Sequence, residues 1–158
     1  MEHAGPIYLR LTRQNLEPVH EAGYRFQFGR ADVLRPGNDV SILTTGGPVW
    51  NTLEAAGKLA AEGIHAEVIN VATIKPLDDE AILRSAGRTG HVVTVEDHSI
   101  HGGLGGAVAE LLGEVMPTPL KRIGVTTFGE SGDAKGLYAR HGLDPDGIAA
   151  TVRKFLAR

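Results

Sequence analysis

Val40-Ser41-Ile42-Leu43-Thr44, bounded by Gly37-Asn38-Asp39 on one side and Gly46-Gly47-Pro48 on the other, decides the fold class of this chain. A short apolar run between turn residues suits a strand buried on both faces. Val49 to Glu62 follows, rich in Ala and Leu, with Trp50, Leu53, Ala56, Leu59 and Ala60 on one helical face and Gly63 as the stop. A buried strand, a glycine turn and an amphipathic helix make the first half of a crossover unit.

The same alternation continues towards the C-terminus. Ala66 to Val71 is a second strand, and Pro76-Leu77-Asp78 opens a helix over Asp79 to Arg88. His91 to Glu96 is a third strand, Gly102 to Gly106 lead into a helix through Val115, and Pro119 to Val125 is a fourth strand. Helices around Ala134 to His141 and Asp146 to Leu156 close the chain. Strands alternating with helices predict an α/β three-layer sandwich around a mostly parallel, roughly five-stranded sheet. In such a sheet, Gly46-Gly47 and Gly102 to Gly106 belong at the carboxyl ends of parallel strands, on one edge.

Towards the N-terminus the pattern weakens. Gly5-Pro6 leads into a strand-like alternation, Ile7-Tyr8-Leu9-Arg10-Leu11, and Thr12 to Gln27 follows with Pro18 and Gly23 and one short edge strand over Tyr24 to Phe28. The expected organisation is residues 1–16 as the remnant of a preceding domain, 17–30 as linker and 31–158 as the main domain. A chain of 158 residues, 42% hydrophobic and 22% charged, is enough for one buried core. A net charge of −3 without a basic stripe argues against nucleic acid as partner, and no apolar run is long enough to span a bilayer. There is no cysteine, which removes disulfides, thiolate nucleophiles and Cys-ligated metals together, and is compatible with a cytoplasmic protein.

Five motifs compete for chemistry. Gly102-Gly103-Leu104-Gly105-Gly106 between a strand and a helix resembles a phosphate turn, but Ala107 and Val108 stand where a dinucleotide fingerprint needs its third glycine. A tight turn with close helix packing is the plainer reading, and a regulatory nucleotide-binding module is its rival. His98 and His101, beside Glu96 and Asp97, lack a third ligand at a fixed spacing and read as loop or interface histidines. Glu96 and Asp97 are neighbours that point apart, unsuited to a carboxylate pair. Ser131 in Gly129-Glu130-Ser131-Gly132 lies in a loop rather than on a nucleophile elbow. Arg13 ends the strand-like segment Ile7 to Leu11, where an α/β sheet places anionic ligands; composition alone makes it a surface arginine.

Thr12-Arg13-Gln14-Asn15-Leu16 resembles the Ser-Arg-Gln-Asn-Leu segment that ends the pyrimidine-binding domain of transketolases. Asp39 to Gly46, Ala55 to Glu62, Ala66 to Pro76, Val93 to Gly106, Leu120 to Val125 and Phe128 to Gly132 then resemble, in order, the C-terminal domain of the same enzymes, closest to the C-terminal subunit of two-subunit transketolases. Glu96-Asp97-His98-Ser99-Ile100 is the most particular of these stretches. The resemblance implies an enzyme that moves a two-carbon ketol unit between sugar phosphates in the cytoplasmic pentose phosphate pathway, with Arg13 on the substrate phosphate. It implies thiamine diphosphate and Mg in the intact enzyme, held by a cofactor-binding N-terminal domain or subunit, within a homodimer or heterotetramer. The Gly-Asp-Gly motif of that cofactor site does not occur here, so the resemblance implies no catalytic residue, cofactor or metal site in this chain and no activity alone. Deoxyxylulose-phosphate synthase and the β subunit of 2-oxoacid dehydrogenases share the architecture and stand as alternatives.

Overall fold

The computed structural model describes residues 3–157; Met1 and Glu2, at the start of the expected remnant, and Arg158 lie outside the described residues. The elements in chain order are β1 (Asp32–Arg35), β2 (Val40–Thr44), α1 (Val49–Ala61), β3 (Ala66–Asn70), α2 (Asp79–Thr89), β4 (Val92–Ser99), α3 (Leu104–Val115), β5 (Leu120–Val125), α4 (Ala134–Arg140) and α5 (Pro145–Leu156). One five-stranded sheet forms in the order β1-β3-β2-β4-β5. β3, β2, β4 and β5 run parallel, with Val40 opposite Ala66 and Thr44 opposite Val95, and β1 lies antiparallel on β3.

Every residue of β2 and β3 is buried, as two covered faces demand. Their side chains divide between two cores. Val40, Ile42, Val68, Val93 and Val95 pack under α1 and α5, against Ala55, Leu59, Leu143, Ile148 and Val152. Leu43, Ile69 and Val92 pack on the other face against Ile82 and Ala86 of α2 and Leu104, Val108 and Leu112 of α3. α5 is fastened to α1 at its rim by Lys58 to Asp146 (2.6 Å) and Arg153 to Glu62 (2.5 Å).

Helix starts follow the capping residues. Asp78 accepts from Ala81 N at 3.2 Å, Asp133 from Gly136 N at 2.9 Å and Asp144 from Gly147 N at 3.0 Å. Gly90, at φ 68°, ends α2 in the left-handed conformation that a side chain would oppose.

The N-terminal expectations fail in part. Residues 7–11 and 24–28 form no strand, and the antiparallel edge strand is Asp32–Arg35 instead. An alternating segment becomes a strand only beside a ladder partner, and Ile7 to Leu11 stands exposed without one among the described residues. Tyr24 is spent differently, stacked on His20 at 3.6 Å with its hydroxyl donating to Asp32; burial and then Asp32 push that phenol up to about 12. The end of the expected linker is pinned to the loop between β3 and α2 by Gly29 N to Thr73 Oγ1 (3.2 Å), and Ala31 N just beyond it donates to Asp78 Oδ2 (3.0 Å). The inner face of α1 is also rotated from expectation. Val49, Thr52, Ala55, Ala56 and Leu59 are buried while Trp50 stays 37% exposed, because Thr52 Oγ1 turns inward to Thr44 Oγ1 at 3.2 Å.

Candidate functional site

The chain passes from β2 to β3 on one side and then returns to β4 on the other, so the sheet's topological switch lies between the carboxyl ends of β2 and β4. Ligands of open α/β sheets bind in the crevice at such a point. Gly46-Gly47 follows β2 and Gly102 to Gly106 follows β4, on the single edge expected of them.

β4 runs three residues further than the sequence pattern predicts, through Asp97 and His98 to Ser99. Strand alternation therefore sends Glu96 and His98 to one face and Asp97 to the other. Glu96 is fully buried, and its Oε1 accepts from Gly105 N at 3.0 Å at the start of α3. Its Oε2 lies 3.3 Å from His98 Nδ1, an ion-pair distance without hydrogen-bond geometry. Helix α3 has Gly103 as N-cap and so no side chain of its own to cap with; the Glu96 carboxylate supplies the missing acceptor and the negative charge that the helix dipole favours. A Cβ on Gly103 would strike Glu96 Oε2, and one on Gly105 would come within 2.8 Å of both Glu96 Oε1 and Thr94 Oγ1. These glycines keep room for the chain's own carboxylate. A phosphate placed there would meet that carboxylate, so the nucleotide-binding reading of Gly102 to Gly106 has no support from the geometry.

Burial is the largest influence on Glu96 and raises its carboxyl above the ordinary value of 4.5; the Gly105 and Leu104 N–H groups, His98 and Arg122 oppose that rise. Between the ordinary value and the raised one the folded state binds more protons than the unfolded chain, so stability falls as pH rises through that window and is fully present below it. Glu96→Gln, which keeps an acceptor for Gly105 N, is expected to flatten the stability profile from pH 4.5 upward. Urea melts of both proteins from pH 4.5 to 8 measure it, and parallel curves would dismiss the assignment.

Asp97, on the opposite face, gathers the switch point. Its side chain is only 8% exposed; Arg10 Nη1 donates to Oδ1 at 2.6 Å and the Tyr138 hydroxyl to Oδ2 at 3.0 Å. The same hydroxyl lies 3.3 Å from Gln14 Oε1. Burial and the neighbouring carboxylate hold the Tyr138 phenol well above its ordinary range, so it stays a donor. An added Cβ on Gly47 would strike the Tyr138 hydroxyl and come within 2.7 Å of Asp97 Oδ2. The crevice that many α/β domains leave for a ligand is thus filled by the chain's own N-terminal segment.

Beside this cluster open two clefts. One of about 250 Å³ lies under the N-terminal segment between Thr12, Gln14, Glu130 and Tyr138. The other, of about 590 Å³, runs from His98 and Ser99 to Phe128, whose ring is 96% exposed. Arg13 borders neither; it is exposed and makes no hydrogen bond or ion pair among the described residues. His98 is half-buried against Glu96 and His101 is exposed, and no group of three or more His, Asp or Glu among the described residues could hold a metal. Ser131 lies in an exposed loop, as expected. Arg10, Asp97 and Tyr138 are the site residues that sequence reasoning missed. The one signal available was the alternation that separates Asp97 from Glu96.

Known proteins share this framework. The family profile described as "Transketolase, C-terminal domain" matches residues 29–148. The 6-deoxy-6-sulfo-D-fructose transketolase subunit SqwH of Clostridium sp. (strain MSTE9) is 46% identical over 159 residues, covering 100% of this chain and 49% of that protein. The 1-deoxy-D-xylulose-5-phosphate synthase 1 of Geobacter sulfurreducens is 41% identical over 162 residues, covering 99% of this chain and 25% of that protein. A solved structure described as a split gene transketolase, inactive beta4 tetramer, superposes with a TM-score of 0.88 at 41% identity, over 92% of this chain and 48% of that chain. The chain spans about half the length of the transketolase relatives it matches. No helix among the described residues is long and apolar enough to cross a membrane. On the family match and on relatives more than 40% identical along nearly the whole of this chain, the chain belongs to the transketolase family, as its C-terminal domain.

Proposed function

We propose that the chain is the C-terminal part of a cytoplasmic, thiamine-diphosphate-dependent transketolase, which transfers a two-carbon ketol unit between sugar phosphates. The observation that carries this reading is 46% identity along the whole chain to a transketolase subunit. Residues 1–16 are the end of the preceding pyrimidine-binding domain, 17–30 the linker and 31–158 the domain itself. Arg13 binds the substrate phosphate. Its exposure and lack of a protein partner among the described residues leave the guanidinium fork available for an anion.

The described residues do not fit thiamine diphosphate or Mg. The glycine turn before α3 is filled by Glu96, and the acidic side chains do not converge on one point. A cofactor-binding domain or subunit holds both, and this chain joins it in a homodimer or heterotetramer. Exposed Tyr8, Leu9 and Leu11 on the N-terminal segment and Phe128 nearby supply apolar surface for that contact. The split-gene relative whose beta4 tetramer is described as inactive supports inactivity of the chain alone.

The test is reconstitution. An upstream reading frame carrying Gly-Asp-Gly and a downstream Asn pair would supply the counterpart. The isolated chain should not turn over, and the mixture should transfer ketol units from a ketose phosphate. The similarity to a 1-deoxy-D-xylulose-5-phosphate synthase supports a second reading; a complex that consumes a 2-oxoacid and ignores ketose phosphates would favour it and overturn the first.

A further inference from the structure

Arg13 sits between two anchored residues. Arg10, three positions before it, ends on Asp97 Oδ1 at 2.6 Å, and Gln14, immediately after it, meets the Tyr138 hydroxyl that donates to Asp97 Oδ2. Both anchors therefore converge on one carboxylate. At about 3.3–3.6 Å per extended residue, the stretch from Arg10 to Gln14 spans at most roughly 14 Å, so fixing its two ends leaves little freedom between them. The carboxylate itself has no slack. It is 8% exposed at the end of β4, and the turn after β2 presses on it closely enough that Gly47 has no space for a Cβ. Gly46 stands on the other side, where a Cβ would lie 3.5 Å from Arg10 Nη1 and 3.6 Å from Asp97 Oδ1. An exposed salt bridge contributes little by itself; here the acid is buried, doubly hydrogen-bonded and part of the sheet.

We propose that Asp97 is a positioning residue of the phosphate subsite: through Arg10 and the Tyr138–Gln14 contact it clamps the N-terminal segment on both sides of Arg13 and sets the direction of that guanidinium. The proposal rests on the phosphate role assigned to Arg13 above. It gives the filled crevice a purpose, since the place where a related sheet would receive a ligand instead holds the backbone that presents one.

Loss of either anchor frees the segment, and small displacements of a binding group are costly to a reaction that depends on orientation. In the intact enzyme with its cofactor-binding counterpart, Asp97→Asn and Arg10→Met are expected to raise the Michaelis constant for a phosphorylated ketose about three- to tenfold more than for hydroxypyruvate. Tyr138→Phe, which removes one hydroxyl and little volume, should give a smaller effect of the same sign. Arg10→Lys should recover part of the loss, because an ammonium keeps the charge but not the reach of the fork.

A double-mutant cycle is the sharper measurement. Where Asp97 acts through Arg13, Asp97→Asn adds no further selectivity to Arg13→Ala. Additive losses, or equal losses on both substrates with a lowered melting temperature, overturn the proposal in favour of plain structural support. Arg13→Ala being selective while none of the Asp97, Arg10 and Tyr138 variants is also overturns it, and leaves the phosphate reading standing. Arg13→Ala without selectivity overturns both.

Discussion

Arg13→Ala in the intact enzyme is expected to raise the Michaelis constant for phosphorylated sugars roughly ten- to hundredfold. A guanidinium against a phosphate makes charge-assisted, often bidentate bonds, and losing a bond to a charged group costs about 1.5–3 kcal/mol. The structure supplies the free fork. Arg13 is exposed and unpaired among the described residues, while its neighbours Arg10 and Gln14 are engaged with Asp97 and Tyr138. A short unphosphorylated donor such as hydroxypyruvate never meets that group, so its constant should move far less. Lysine should restore the interaction only in part. Steady-state kinetics on the two donors decide the matter. A surface arginine would leave both constants near wild type, and equal damage to both would point to lost assembly; either result removes Arg13 from the site.

Gly37→Ala is expected to lower stability by about 3 kcal/mol or more, through overpacking against atoms that cannot turn aside. A Cβ at Gly37 would strike the carbonyl carbon of Ala66, the nitrogen of Glu67 and the carbonyl oxygen of His65, all backbone. The same turn is stitched to His65, the residue just before β3: Asn38 N and Asp39 N donate to His65 O at 2.9 and 3.1 Å, and Asp39 Oδ2 accepts from His65 N at 2.6 Å. Opening it disturbs the register that begins with Val40 opposite Ala66. For a domain of this size the loss corresponds to roughly 6–12 °C in melting temperature. Gly57→Ala is the matched control. Gly57 lies on the exposed side of α1 with nothing within 4 Å of an added Cβ, so alanine should stabilise by about 0.5–1 kcal/mol. Thermal melts of the two variants should move in opposite directions. A Gly37→Ala shift within a degree of wild type would refute the packing account.

The central sheet was legible because β2, β3 and the first four residues of β4 place apolar side chains on both faces and are bounded by turns. Local composition decides such elements. The edge was not legible, since β1 is four residues of which only Val33 and Leu34 are apolar, and it pairs with a strand more than thirty positions away. Tyr24 to Phe28 carries the better strand composition, yet its aromatic side chains are exposed or stacked on other rings. The site divides in the same way. Alternation told Glu96 from Asp97, but the ion pair that organises the switch point joins residues 87 positions apart. Its partner, Arg10, looked like the polar member of an amphipathic strand. Glu96 as the cap of α3 was hidden for a related reason: the sequence around Gly103 displays an uncapped helix, and the missing acceptor comes from the preceding strand.

The division of the core between two faces has a consequence for a chain still on the ribosome. The face under α2 and α3 has all its partners once residue 120 has emerged, whereas the opposite face waits for Leu143, Ile148, Ala149 and Val152. Synthesis proceeds at about 5–20 residues per second, so each nascent copy spends an interval with one side of its sheet dressed and the other partly bare. Val40, Ile42, Val68, Val93 and Val95, wholly shielded in the finished fold, are the residues that lie under that late cover. A stop codon or frameshift after β5 would make the interval permanent. Its product would carry all five strands and a sticky face, a substrate for chaperones and proteases rather than a slightly shortened enzyme part.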